Sequence, residues 1–265
     1  MVLPVGDLNP TSRRAVVTFV LLATNVAVYL GFQAPSEGCA AAGFLYRFSA
    51  IPREVLTLEP LPPGELEALL GSCAATVSGK SVLVSLVTAT FLHGNLTHLL
   101  GNMLFLWVFG NNVEDRLGRI RYLVFYLVGG AVATLAFVAL NPGGTTPLVG
   151  ASGAIAAILG AYLLLHPRAK VLTYVPFPLY LLAFVVPGAR IRAWFLIFAI
   201  VTLPAWLVLG GWFVLQATAA RTMLAGGVAY EAHVAGFLAG IVLLLLLDRR
   251  RAAHGQVPFH PPRRR

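Results

Sequence analysis

Apolar runs of 16 to 23 residues recur along this chain, and the segments between them carry most of its charge. A bilayer's hydrocarbon core is about 30 Å thick, so about 20 apolar residues in a helix cross it. Lipid offers no hydrogen bonds to an open backbone, which makes helices the expected form of such runs. The sequence is 58% hydrophobic and 11% charged, where a soluble domain carries about a quarter charged residues. An integral membrane protein follows. The net charge of +9 could suggest nucleic acid. The basic residues instead stand singly or in pairs between apolar runs, as in loops that face the cytoplasm, so no nucleic-acid partner is expected. The terminal Arg263–Arg265 run suits at most anionic lipid headgroups.

In chain order, residues 1–14 form a short N-terminus ending in Arg13-Arg14, and 15–32 the first span. At 18 residues that span exceeds a signal-peptide core, and no clear small-x-small cleavage site follows it. Residues 33–94 form a mixed outer loop with Pro52, Pro60, Pro62, Pro63 and five glutamates up to residue 80. A short helix is expected over 65–70, and 81–92 should lie in the interface or dip into the membrane edge. Further spans are expected at 95–112, 122–140, 149–165, 193–215 and 228–247, the fifth kinked at Pro204. A charged turn, 114–119, joins the second and third. Residues 171–186 are 16 long and hold Pro176 and Pro178. They read as a re-entrant or interfacial excursion. The tail, 248–265, is basic and expected to be disordered. The fold expected is an all-α bundle of six transmembrane helices.

Charge fixes the orientation. With both termini inside, 15 of the 19 Lys and Arg residues fall on the cytoplasmic side, and only Arg47, Arg53, Lys80 and Arg221 outside. A full crossing by 171–186 would invert everything after it and separate Ser152 from His233. Cys39 and Cys73 then face outward, where disulfides persist, and they are expected to bridge. Neither has a ligand-spaced Cys or His, so no metal is expected.

Polar residues inside the spans gather near their outer ends. Gly150-Ala151-Ser152-Gly153 opens the 17-residue fourth span, whose length of about 25 Å would leave Ser152 below the membrane surface. That hydroxyl is either a helix-packing residue or a nucleophile. On the sixth span His233, Gly236 and Gly240 share a face, as Ser152, Ala156 and Gly160 do on the fourth. Two such small-residue faces let backbones approach and could bring hydroxyl and imidazole together. An intramembrane histidine is by default a functional group. On the second span His98 and Asn102, four apart, project from one face. They are either polar glue between helices or donors to a developing oxyanion. His93 is either a loop histidine at the wet mouth of a site or a structural one. Glu231 is the one Asp or Glu inside an expected span, and it is on nearly the opposite face from His233. A hydrolase built from these residues is a Ser-His dyad without a third acidic member. No cofactor is called for.

Over about residues 82–247 these motifs resemble the rhomboid family of intramembrane serine proteases. The motifs are His98-x-x-x-Asn102, Glu114-x-Arg116-x-Gly118, Gly150-x-Ser152-Gly153 and Ala232-His233-x-x-Gly236-x-x-x-Gly240. The resemblance implies a six-helix core around a water-filled cavity opening to the outer face. It implies Ser152 as nucleophile and His233 as base. Asn102, His98 and the Ser152 N–H would form the oxyanion site, with Gly150, Gly153, Gly236, Gly240 and His93 in support. Substrates would be membrane-anchored proteins, cut in or near a transmembrane helix. A bacterial cytoplasmic membrane is the expected location. The competing expectation is a catalytically silent relative that binds membrane clients, which typically lacks the serine or histidine. Two features depart from the family pattern. Ala156 replaces the aromatic residue against which the histidine packs in many relatives, leaving Phe91, Trp212 or Tyr230 to orient it. The 171–197 connection is also long.

Overall fold

The computed structural model of the chain describes residues 3–175, 199–222 and 228–248. Among these described residues helices dominate, and three are long and apolar enough to cross a membrane: Val16–Gln33, Arg119–Leu140 and Tyr230–Leu247. A fourth arises if Val82–Phe91 and Leu96–Leu117, bent by 79° at their break, form one broken span.

In chain order, strand β1 (Leu3–Asp7) leads into α1 (Val16–Val28), which continues as a π-helical turn to Gln33. The outer segment folds as α2 (Gly38–Phe48), α3 (Pro52–Thr57) and α4 (Pro63–Leu70), then a 3-10 turn over Gly71–Thr76. Prolines at the first turns of α3 and α4 suit those starts, because their missing N–H would be unpaired there anyway. Cys39 and Cys73 are disulfide-bonded, with Cα atoms 4.7 Å apart. Lys80 forms a buried ion pair with Glu54, whose other oxygen accepts from the Leu61 N–H at 2.9 Å. Burial depresses the Lys80 ammonium below its ordinary value, and the Glu54 carboxylate opposes that shift.

The bundle follows: α5 (Val82–Thr88), α6 (Leu96–Leu117), α7 (Arg119–Leu140) and α8 (Ser152–Leu165). Strands β2 (Lys170–Val175) and β3 (Ala199–Pro204) precede α9 (Ala205–Thr222) and α10 (Tyr230–Leu247). α8 is buried continuously from Ala154 to Tyr162, as expected of a helix apolar on every side. It packs against α6, α7 and α10. The α8–α10 seam is made by glycine. A Cβ on Gly236 would collide with the Gly153 carbonyl, one on Gly160 with the Phe237 carbonyl, and one on Gly240 with the Ala157 backbone.

Three sequence expectations need correction. The fold is not all-α: β1, β2 and β3 form an antiparallel sheet in that order. Extended N-terminal and 170–175 segments pair because each leaves a row of backbone groups unsatisfied at the bundle's end. The fifth apolar run does not kink at Pro204. Its residues 199–204 are strand and the helix begins only at Ala205, since proline closes the strand and can precede a helix. The charged turn expected over 114–119 is confined to one residue. Helix α6 runs on to Leu117 and only Gly118, at φ +78°, turns the chain. Of the excursion over 171–186, residues 171–175 are strand. The remainder, Gly188, and residues 193–198 and 249–265 lie outside the described residues.

The charged stretch of α6 ties the other elements. Glu114, 2% exposed, accepts hydrogen bonds from the Val17 N–H at 2.9 Å, the Thr18 N–H at 2.7 Å and the Thr18 hydroxyl at 2.8 Å. It therefore caps the first turn of α1, where amides lack partners and a negative charge is favoured. Arg116 donates to the Asp248 carboxylate from Nη2 at 2.8 Å, joining α6 to the end of α10. Asp7 of β1 accepts from Tyr162 Oη at 2.6 Å and Asn112 Nδ2 at 2.8 Å. β1, the ends of α6, α8 and α10, and the sheet thus share one end of the bundle. The starts of α6, α8 and α10 share the other, together with the disulfide-bonded segment.

Candidate active site

Ser152 is the first residue of α8 and His233 stands in the first turn of α10. The glycine seam draws the two helix starts together until His233 Nε2 is 2.8 Å from Ser152 Oγ. This is the reach a base needs to accept a hydroxyl proton. The other ring nitrogen, Nδ1, lies 3.0 Å from Gln216 Oε1 on α9. Since that amide oxygen can only accept, Nδ1 carries the hydrogen and Nε2 is left with its lone pair toward Ser152.

The ring is held by more than one hydrogen bond. Trp212 lies tilted beside it with centroids 5.9 Å apart, and Tyr230 meets it edge-on at 6.5 Å. Two of the three aromatics expected to orient the histidine are therefore in place. Phe91 is the exception: its ring packs on Tyr126, at 6.4 Å. Gln216 went unread in the sequence because an amide 17 residues before a histidine, on another helix, has no recognisable spacing. A polar residue in an otherwise apolar run was the available signal.

Facing the pair is the start of α6. Asn95 caps it, its side chain accepting from the His98 N–H at 2.8 Å. Gly150 adopts φ +126°, a left-handed backbone that disfavours other residues. A Cβ there would stand 2.9 Å from His98 Nε2 and 3.6 Å from Ser152 Oγ. Hydroxyl and second imidazole therefore face one another across the bare Gly150 backbone, which the Ala89 carbonyl holds through the Gly150 N–H at 2.9 Å. Asn102, one turn along α6, is 8% exposed and its Nδ2 has no acceptor among the described residues. His93 is not at an open mouth: it is 1% exposed and lies edge-on to His98, centroids 5.2 Å apart. Gln33 clamps its backbone, donating to the His93 carbonyl at 2.8 Å and accepting from the His93 N–H at 2.9 Å. Gly153 abuts Ala133 of α7. Among the described residues no cluster of His, Cys, Asp or Glu is arranged to hold a metal.

The outer segment buttresses this arrangement from behind. Ala50 and Leu148 exchange backbone hydrogen bonds of 3.2 and 2.8 Å, and the Arg53 N–H donates to the Gly144 carbonyl at 3.0 Å. The loop carrying Gly150 into α8 is thus stitched to a segment that the disulfide closes.

Comparison with known proteins gives one consistent result. The Rhomboid domain model matches residues 80–250, well over half of the chain. Rhomboid protein 1, mitochondrial, of Saccharomyces cerevisiae is 30% identical over 163 residues, covering 60% of this chain and 40% of that protein. RHOMBOID-like protein 5 of Arabidopsis thaliana is 31% identical over 146 residues, 55% of this chain and 46% of its own length. The Rhomboid protease GluP of Bacillus subtilis is 41% identical over 78 residues, 29% of this chain and 15% of its own. The chain spans less than half the length of these relatives.

Proposed function

Because the chain belongs to the rhomboid family, we propose that it is an intramembrane serine endopeptidase that cuts membrane-anchored proteins in or near their transmembrane segments. The observation carrying this reading is the 2.8 Å contact between His233 Nε2 and Ser152 Oγ. A serine that only packs helices has no need of a base. Six helices, α1, α6, α7, α8, α9 and α10, cross the bilayer. The termini lie in the cytoplasm and the site opens to the outer face of the cell membrane, as the distribution of Lys and Arg favours.

Ser152 Oγ attacks the scissile carbonyl while its proton passes to His233 Nε2. The Gln216 amide holds the imidazole in the tautomer that can accept it and stabilises the imidazolium that forms. Negative charge on the former carbonyl oxygen is met by Asn102 Nδ2, His98 and the Ser152 N–H. Fixed donors of this kind, away from water, lower the barrier by several kcal/mol. Asn102 suits the task because its amide donor is buried with no acceptor among the described residues. His233 then protonates the departing amine, the C–N bond breaks, and an acyl ester remains on Ser152. Water, deprotonated by His233, cleaves that ester and restores the serine. No metal or cofactor enters the cycle.

The test is cleavage of a transmembrane model substrate by the purified full chain in detergent or liposomes. Wild type should cut it and Ser152→Ala should not. Equal cleavage by both would remove the proposal.

A further inference from the structure

At the other end of the molecule, two adjoining cavities share Arg13 and Arg14. One, of about 800 Å³, runs as a groove between α1 and α6 and is walled by Val16, Phe19, Val20, Ala23 and Trp107. The other, of about 700 Å³, holds Arg119 and Arg121 at the start of α7. We propose that the pair forms a binding site for one anionic phospholipid, its phosphate among the four arginines and an acyl chain in the groove.

The groove has the shape of a chain. Val16, Phe19, Val20 and Ala23 recur at three- and four-residue intervals and form one stripe of α1. From Val16 to Ala23 the stripe runs about 10 Å, two-thirds of a leaflet about 15 Å thick. Its sides are open: Phe19 is 60% and Trp107 63% exposed. Ala23 and Asn111 line the same groove with smaller side chains than these two rings.

The head of the groove is short of negative charge. Both Glu114 oxygens are engaged by the first turn of α1, and Asp115 accepts from the Ser12 N–H at 3.1 Å and its hydroxyl at 2.9 Å. Four guanidiniums against these two carboxylates leave two positive charges. Among the described residues no ion pair takes up Arg14, Arg119 or Arg121. Arg13 Nη1 lies 3.7 Å from where a Cβ on Gly118 would stand, which brings it over the turn that leads into Arg119. Guanidinium forks match phosphate oxygens in pairs. A phosphate bearing apolar chains answers both halves of the site, whereas a free phosphate leaves the groove unexplained. The inference needs only the membrane setting and is independent of Ser152.

Purified full chain is incubated in detergent with dioleoyl phosphatidylglycerol or dioleoyl phosphatidylcholine and read by native mass spectrometry. Wild type should retain one phosphatidylglycerol at least tenfold over phosphatidylcholine. Millimolar glycerol 3-phosphate should not displace it. The triple variant R14Q/R119Q/R121Q should hold the two lipids equally, and Ala23→Trp, which fills the groove and keeps the arginines, should lose at least fivefold. Should the triple variant unfold, the single Arg121→Gln should still show about a threefold loss. Equal retention of both lipids by wild type, or an unchanged preference in the arginine and groove variants, overturns the proposal. So does displacement by glycerol 3-phosphate, which marks a plain anion site. A lipid-free dimer abolished by Ala23→Trp also overturns it, by marking a surface for a second copy. Substrate cleavage is untouched by any of these results.

Discussion

Asn102 and Glu114 lie on the same helix, about 18 Å apart along its axis, and their surroundings differ in kind. Around Glu114 the side chain is saturated, with both oxygens accepting from the first turn of α1. Around Asn102, one turn along α6 from His98, a buried amide donor stands without an acceptor among the described residues. One end of α6 uses polar groups to fasten the bundle; the other, in the proposed mechanism, keeps them ready for a charge that exists only during reaction. Burying an unpaired donor costs about 1–3 kcal/mol. The fastened end, the glycine seam and the disulfide-closed outer segment supply the stability that offsets it.

Substitutions at the two ends should therefore separate activity from stability. Ser152→Ala and His233→Ala should each lower the rate about 10⁴–10⁶-fold while changing unfolding free energy by less than about 1 kcal/mol. Cleavage assays beside denaturant titrations in a mild detergent measure both. Asn102→Ala should lower kcat about 10²–10³-fold with KM little changed; a loss confined to KM would make Asn102 a substrate-binding group. Gln216→Leu should cost about 10–100-fold, with Gln216→Glu restoring most of the rate because an acceptor returns to Nδ1. If leucine were as active as glutamine, the ring would be held by Trp212 and Tyr230 alone.

Glu114→Ala tests the fastened end. Three donors at the start of α1 lose their acceptor, so stability should fall by about 2–4 kcal/mol, with kcat within about twofold of wild type. A large loss of kcat in the folded variant would mean that the ends are coupled. The smallest effect belongs to Asp7. Burial raises its carboxyl above the ordinary 3.8, against the opposing hydrogen bonds from Tyr162 and Asn112. The folded chain then holds that proton at a pH where the unfolded chain has released it. Asp7's contribution is full below the unfolded value and is lost as pH rises through the folded one. Relative to Asp7→Asn, wild type should therefore gain stability as pH falls from neutrality toward 4, by under about 1 kcal/mol. Parallel thermal melts across that range would show an opposite slope if the hydrogen bonds outweighed burial.

The sequence by itself determined the membrane character, the helical runs and the face each small-residue stripe presents. These follow from hydrophobic length and from the 3.6-residue period, which are local properties. Spacing alone was enough to put Ser152 and Gly160 on one face, His233 and Gly240 on another, and His98 beside Asn102. Tertiary structure decided what those faces meet. The α8–α10 seam turned two stripes into a 2.8 Å contact. Gln216 joined His233 only because α9 packs alongside α10. The sheet was hidden because Leu3–Asp7, Lys170–Val175 and Ala199–Pro204, separated in the chain, become strands only by pairing across the fold. The role of Glu114 was hidden too, because its partners on α1 lie 96 and 97 residues away. Local patterns are legible residue by residue, whereas a hydrogen bond between distant segments exists only once packing has brought them together.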